Sequence, residues 1–386
     1  MKKKKLVIIG ASDLQLPLIE KAKAMNLETH VFAWAAGDVG ETAADYFYPI
    51  SIVETDGIIR ECQKIKPDGV ATIASDLAAI TVIKVAKALN LPSNPMETAT
   101  IATNKYAMRK TFQEAGIPTP RFLMVTPEDN LSMVDSFHFP IIVKPTDRSG
   151  SRGIYKLNNP NGLTEAVREA CNQSFEKKAI IEEYIEGKEY SCECITQNGN
   201  HHMLAITKKY TTGAPHFIEI GHTEPSGLSD ETAEKVRTQI YRALDALHVW
   251  TGASHSEFKV DPNTGEIRII EIGARMGGDC IGSDLVQLST GYDFVKMVIQ
   301  CALGEPVSEL RSEAKPAAAV RFIMNEADYL HFEGLNEADK AHIVRTSNIH
   351  KPDGDTVSDS STRFGFYIVT GESSAEVLSI ADLKEE

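Results

Sequence analysis

No apolar run in these 386 residues reaches the roughly 18 that a membrane helix needs. Positive charge is in deficit. Forty Lys and Arg stand against 54 Asp and Glu, a formal net charge of −14, which argues against a broad basic face for duplex nucleic acid or an anionic membrane. A local basic groove for a small anion stays open. Cysteine is sparse: Cys62, Cys171, Cys192, Cys194, Cys280 and Cys301 form no CxxC and no paired metal spacing, so reduced thiols in a cytoplasm are expected. The opening MKKKK is followed only by LVIIGA, too short for the apolar core of a signal peptide and without a cleavage site, so it reads as a buried strand. Internal repeats and low-complexity segments are absent. With 42% hydrophobic and 24% charged residues the composition is globular, and the length suggests two or three domains, at roughly 150 residues each.

Short apolar runs alternate with helical stretches over residues 1–95. LVIIGA (6–11), THVFAW (29–34) and DGVATI (68–73) are separated by helices near 16–25, 58–65 and 78–89, the pattern of a parallel sheet covered on both faces. The first strand runs into Gly10-Ala11-Ser12-Asp13 and lacks the second glycine of GxGxxG, which disfavours a nicotinamide cofactor. A helix from about Asn104 to Ala115 stops at Gly116, with Pro118 and Pro120 beyond it. From 122 to about 310 the chain is β-rich. Strands are expected at 141–145, 179–185, 189–196, 201–207, 256–260 and 267–273, with hairpin turns at 197–200 and 261–265. From about 316, AAAVRFIM and RFGFYIVTG suggest a small α+β cap.

Glu257 and Glu271 lie 14 residues apart in apolar strands on either side of one turn. A hairpin centred near Thr264 sets them opposite each other on one face, where like charges repel and burial multiplies the cost. Either a cation sits between them, and oxygen ligands of this kind suit Mg²⁺ with bound phosphates, or one is exposed and the other pairs with Lys259 or Arg268. In IIVKPTDRSGSRGI (141–154) a strand presents Lys144, and Ser149, Gly150, Ser151 and Gly153 form a flexible loop carrying Arg148 and Arg152. Such backbone can turn N–H groups onto phosphate oxygens while the lysine adds a point charge. It is not the GxxxxGK[ST] loop, because the lysine comes first. Arg275, four residues past Glu271 and beside Gly277-Gly278, would suit charge developing on a transferred phosphoryl group, or is a surface arginine before a turn. His222, in the polar stretch GHTEPSGLSDE, is a substrate contact or a solvated loop residue, and Lys208 and Lys209 are open in the same way. Cys192 and Cys194 read as packing. Asp76 follows an apolar strand where such sheets admit ligand, although helix capping explains it equally well.

Taken in order, these segments resemble the ATP-grasp superfamily of carboxylate–amine ligases over nearly the whole chain. The resemblance implies an α/β and α+β multidomain fold: an open parallel α/β domain at 1–95, an ATP-grasp domain at 96–310 with a lid near 118–185 and a catalytic part near 186–310, and a C-terminal α+β extension at 311–386. It implies that Lys105 and Lys144 touch the nucleotide phosphates, with Lys144 also catalytic, and that the loop carrying Ser149, Gly150, Ser151 and Gly153 closes over them. Glu182 to Ile185 would form the adenine-binding connection, with the backbone of Glu183 and Ile185 reading the adenine edge and Glu189 holding the ribose. Glu257 and Glu271 would hold Mg²⁺, two ions with Mn²⁺ as a substitute, and Arg275 would stabilise an acyl phosphate. His222, Arg275, Gly277 and Gly278 would face the substrate. Many members carry Asn two residues after the second glutamate; here that residue is Gly273. GARMGGD is closest to the branch that joins amino acids or similar small acids and amines, with phosphoribosylglycinamide synthetase-like and carbamoyl phosphate synthase-like enzymes nearby. The implied reaction is ATP-dependent activation of a small carboxylate for attack by an amine, in a cytoplasmic homodimer acting on small molecules. Bicarbonate activation, as in carboxylases, carbamoyl phosphate synthesis or purine biosynthesis, and a non-catalytic ATP-binding role are the alternatives. No Ser-His-Asp or Cys-His arrangement competes, which fits a reaction without a protein nucleophile.

Overall fold

Four short strands, Lys5–Ile9, Glu28–Phe32, Tyr46–Tyr48 and Gly69–Ala71, form a parallel sheet in the order third, second, first, fourth. The computed structural model describes residues 3–150, 152–214, 217–307, 315–354 and 357–384. Both faces of this sheet are covered, which is why its first two strands are apolar or tightly bonded along nearly their full length. Thr55–Ile65 and Asp76–Ala88 cover one face. Leu16–Ala24 covers the other together with Phe294–Ala302, a helix from much later in the chain. The last strand leads through Ser75, whose hydroxyl accepts from the Ala78 N–H, into the helix that Asp76 begins. Asp76 therefore stands at the carboxyl edge of the sheet, where parallel sheets open a crevice.

A second sheet of four antiparallel strands runs in the order Phe122–Val125, Ala179–Glu183, Ile141–Pro145, Tyr155–Leu157. The helix Leu163–Gln173 buries Leu163, Ala166, Val167 and Ala170 against it.

The third sheet has eight antiparallel strands: Ile267–Gly273, Thr251–Val260, Lys188–Gln197, Asn200–Thr211, Glu219–Glu224, Ala317–Phe322, Phe366–Gly371 and Ile343–Thr346. Helices Lys105–Glu114 and Asp230–Ala246 pack Met108, Phe112, Val236, Ile240 and Leu244 against it, over Cys192, Cys194, Phe258 and Ile269. Cys192 and Cys194 are core residues, and all six cysteines are free thiols. The C-terminal segment is not a sheet of its own. Ala317–Phe322 pairs with Glu219–Glu224, Gly221 opposite Arg321, so the large sheet continues into the extension. Glu219–Glu224 also corrects the expectation of a polar loop at His222, which lies on this strand and is fully buried. Its neighbours on both sides complete the backbone bonding that the polar sequence GHTE does not advertise. Among the described residues no helix is long and apolar enough to cross a membrane.

Candidate active site

The hairpin Thr251–Val260/Ile267–Gly273 sets Glu257 directly opposite Glu271. The side-chain period of two puts both carboxylates on one face, and a bulge after Glu257 absorbs the register step. Neither is paired with Lys259 or Arg268. Lys105 Nζ donates to both oxygens of Glu271 at 2.7 Å, and Lys209 Nζ donates to Glu257. Lys259 instead reaches the Tyr184 hydroxyl at 3.0 Å, and Arg268 pairs with Glu266. Burial opposes the charge of Glu257, but Lys209 and His255 outweigh it and hold the carboxyl well below its usual range.

Lys105 is the first residue of Lys105–Glu114, a helix capped by Asn104, whose side chain accepts from the Ala107 N–H at 3.0 Å. One turn on, at the i+4 spacing that shares a face, Arg109 is buried. It donates to Glu182 and to the carbonyls of Ile269 and Ile270 at 3.1 and 2.7 Å. Lys144 Nζ lies 2.5 Å from the other oxygen of Glu182. The Glu182 side chain is therefore committed to two cations, which against the cost of burial hold its carboxyl at about 2. Glu183, Ile185 and Glu189 line the same cleft as Lys105, Lys144, Glu257, Glu271 and Arg275. Glu189 is half-buried beside Lys209 and Lys259, at 3.5 and 4.0 Å, and desolvation raises its carboxyl. Ser149 and Gly150 also face this cleft. Gly150 and Gly153 have φ of +73° and +70°, a region where side chains are strained, so the loop's bends require glycine. Ser151 lies outside the described residues.

Behind Glu257 runs a buried chain of polar groups that the sequence did not disclose. His255 sits 2.5 Å from Glu193 through Nδ1 and 3.3 Å from Glu257 through Nε2. Burial lowers the imidazole and the two carboxylates raise it, to about 9. The other Glu193 oxygen accepts the Gly277 N–H at 3.3 Å. A Cβ on Gly277 would come within 2.8 Å of His255 Nδ1 and 2.9 Å of Glu193, so the glycine is what lets this turn close on the pair. Gly278 faces Ala74.

Arg275 is held by Asp76, its Nε at 2.8 Å from Oδ1 and its Nη2 at 3.1 Å from Oδ2. A second cavity of about 550 Å³ opens beyond it, lined by His222, His255, Gly278 and Asp279 and by Ser360 and Ser361 of the extension. Both ring nitrogens of His222 are buried there without a hydrogen-bond partner among the described residues, Nε2 lying 3.9 Å from Asp279 Oδ2, and burial outweighs Asp279 to lower the imidazole.

Nothing here is a ready-made cage: among the described residues no group of three or more His, Cys, Asp or Glu side chains is placed to take a metal ion. The donors are two facing carboxylates now bridged to lysine ammonium groups. That all-oxygen set fits Mg²⁺, which characteristically takes one or two carboxylates and completes its shell with phosphate and water.

The family model of the ATP-grasp domain matches residues 137–284. The carbamoyl phosphate synthase large chain of Thermotoga neapolitana is 26% identical over 279 residues, 69% of this chain and 25% of that one, so the chain spans about a quarter of that relative's length. The crystal structure of L-amino acid ligase from Bacillus licheniformis superimposes with a TM-score of 0.83 at 24% identity, covering 99% of this chain and 98% of the other. The biotin carboxylase domain of the Hydrogenobacter thermophilus 2-oxoglutarate carboxylase, solved with MgADP, ADP and bicarbonate, does so with 0.75 at 17%, covering 96% and 87%. At these identities the structural likeness establishes the shared fold.

Proposed function

From the ATP-grasp domain matched at residues 137–284 and the fold shared with these structures, we propose that the chain is an ATP- and Mg²⁺-dependent ligase of the ATP-grasp superfamily that activates a small organic acid, an amino acid by preference, for attack by an amine. The observation that carries this is the facing pair Glu257 and Glu271 in a cleft that also gathers Lys105, Lys144, Lys209 and Arg275. Cations converge there on a place where phosphate charge can be held.

A carboxylate is an inert acyl donor. In the proposed reaction a carboxylate oxygen of the acid attacks the γ-phosphorus of ATP, the bond to the β–γ bridging oxygen breaks, and ADP leaves. The amine nitrogen then attacks the acyl carbon, phosphate departs with the oxygen the acid contributed, and the nitrogen loses a proton. Lys105 and Lys144 hold phosphate oxygens. Glu183 and Ile185 offer backbone to the adenine, Glu189 holds the ribose, and the loop at 149–153 closes over the phosphates and keeps water from the acyl phosphate. Glu257 and Glu271 would hold Mg²⁺, two ions in this reading, which supplies charge neutralisation on the phosphates. The MgADP in the Hydrogenobacter carboxylase domain supports that assignment. Arg275 stabilises the charge that develops during transfer. A homodimeric, cytoplasmic protein belongs to the same reading.

The second reading, bicarbonate as the acid, draws support from the carboxylase and carbamoyl phosphate synthase relatives. ADP release in MgATP, with pooled amino acids or with bicarbonate alone, tells them apart. Glu271→Gln should lower that release at least about 10²-fold, since it removes charge at constant volume, while circular dichroism and Tm stay near wild type. Undiminished release in this variant would remove Glu271 from the site.

A further inference from the structure

Gly273 has no backbone reason to be glycine. It ends the strand Ile267–Gly273 without the positive φ that sixteen other glycines in the described chain adopt. Space is the reason. A Cβ there would lie 3.0 Å from Asp76 Oδ1 and 3.2 Å from both Cζ and Nε of Arg275. The bare backbone is the floor on which the two side chains meet.

Asp76 begins the helix that follows the last strand of the N-terminal sheet, and Arg275 lies two residues past an edge strand of the large sheet, 199 positions later. Their contact is the two-pronged fork in which both carboxylate oxygens are used and the guanidinium plane is fixed. A backbone bond beside it, Ala74 N–H to Met276 carbonyl at 3.1 Å, ties the same two loops together. Released from Asp76, Arg275 would turn to the other anions whose fields it feels, Glu257 and Glu271. That would block the carboxylates the reaction needs and withdraw the cation from its place.

We propose that Asp76 is a positioning residue: it aims the Arg275 guanidinium across the cleft, keeps it off Glu257 and Glu271, and requires glycine at 273 to do so. The proposal rests on the catalytic reading of Arg275 given above. It also makes the N-terminal sheet part of the catalytic apparatus.

The test uses the full chain with MgATP and the acid and amine identified by ADP release. Arg275→Ala should lower kcat by about 10²- to 10³-fold with little change in KM for ATP, and Arg275→Lys should restore little, because an ammonium does not reproduce the planar fork. Asp76→Ala and Gly273→Ala should each lower kcat by about 10- to 100-fold, the scale seen when a partner that orients a functional group is lost, again with KM for ATP within about twofold. Combined with Arg275→Ala, Asp76→Ala should add no further loss. A purely structural Asp76 predicts a lower Tm with normal kcat, or losses that multiply in the double variant, and either result overturns the proposal. If Asp76→Ala fails to fold, Gly273→Ala carries the same test with both charges in place. Near-normal turnover in Arg275→Ala overturns the catalytic reading itself. A crippled Arg275→Ala beside normal Asp76→Ala and Gly273→Ala overturns only the positioning.

Discussion

At Glu224 a fully buried carboxyl accepts hydrogen bonds from the Thr207 and Ser289 hydroxyls, at 2.7 and 2.6 Å, with no cation paired to it among the described residues. Burial outweighs the two hydroxyls and raises it from 4.5 to about 7. Its folded pKa lies above its unfolded one, so the native state binds the extra proton. Stability from this group is fully present below about pH 4.5 and is lost as the pH rises through 7, at no more than about 1.4 kcal/mol per pH unit. Glu224→Gln, similar in shape and never charged, should flatten that slope. Urea unfolding of both proteins at several values between pH 5 and 8 checks this, and parallel curves would contradict it. Single residues differed in how legible they were. Glu257 and Glu271 could be paired in advance because an Asp-Pro-Asn-Thr-Gly turn and a period of two fix the register. Arg109, His255 and Glu193 could not, since their partners come from other strands or from sequence positions 62 to 161 away. For Arg109 a signal existed: it lies one helical turn beyond Lys105. His222 looked solvated because its strand reads as polar, but strands on both sides of it and the Phe322 ring bury it.

Among elements, the helix Lys105–Glu114 does two jobs through two residues one turn apart. Lys105 faces Glu271, and Arg109 anchors the helix to the strand Ala179–Glu183 through Glu182 and to the strand Ile267–Gly273 through two carbonyls. Breaking a buried ion pair costs about 3–5 kcal/mol when it leaves a charge alone. Arg109→Met leaves Glu182 with Lys144 but orphans the carbonyls, so a loss near the lower end, about 3 kcal/mol, is expected in urea unfolding. A change under about 1 kcal/mol would mean that the contact does not anchor the helix. The hairpins were readable because turn residues and apolar strands lie next to each other in the sequence. The 17-residue helix Asp230–Ala246 escaped notice although Ser229 caps it and Val236, Ile240, Ala243 and Leu244 make a buried stripe. That the large sheet runs on into the extension was not legible, because pairing between Glu219–Glu224 and Ala317–Phe322 spans about a hundred residues that no local signal bridges.

For the whole molecule, the order of segments foretold the fold better than any single motif did. What it did not foretell is how closely the parts share their surfaces: a late helix, Phe294–Ala302, covers the first sheet, and Asp76 at that sheet's carboxyl edge grips Arg275. The cleft between them collects its charges from every layer, which is why its two carboxylates could be named in advance and the acid it takes could not. The central claim is that the acid's own oxygen attacks ATP. Amino acids labelled with ¹⁸O in the carboxylate, pooled and supplied with MgATP, should deliver ¹⁸O into the released phosphate, visible as an isotope shift in the ³¹P spectrum. Phosphate free of label, with ADP release that depends on bicarbonate alone, would contradict the account.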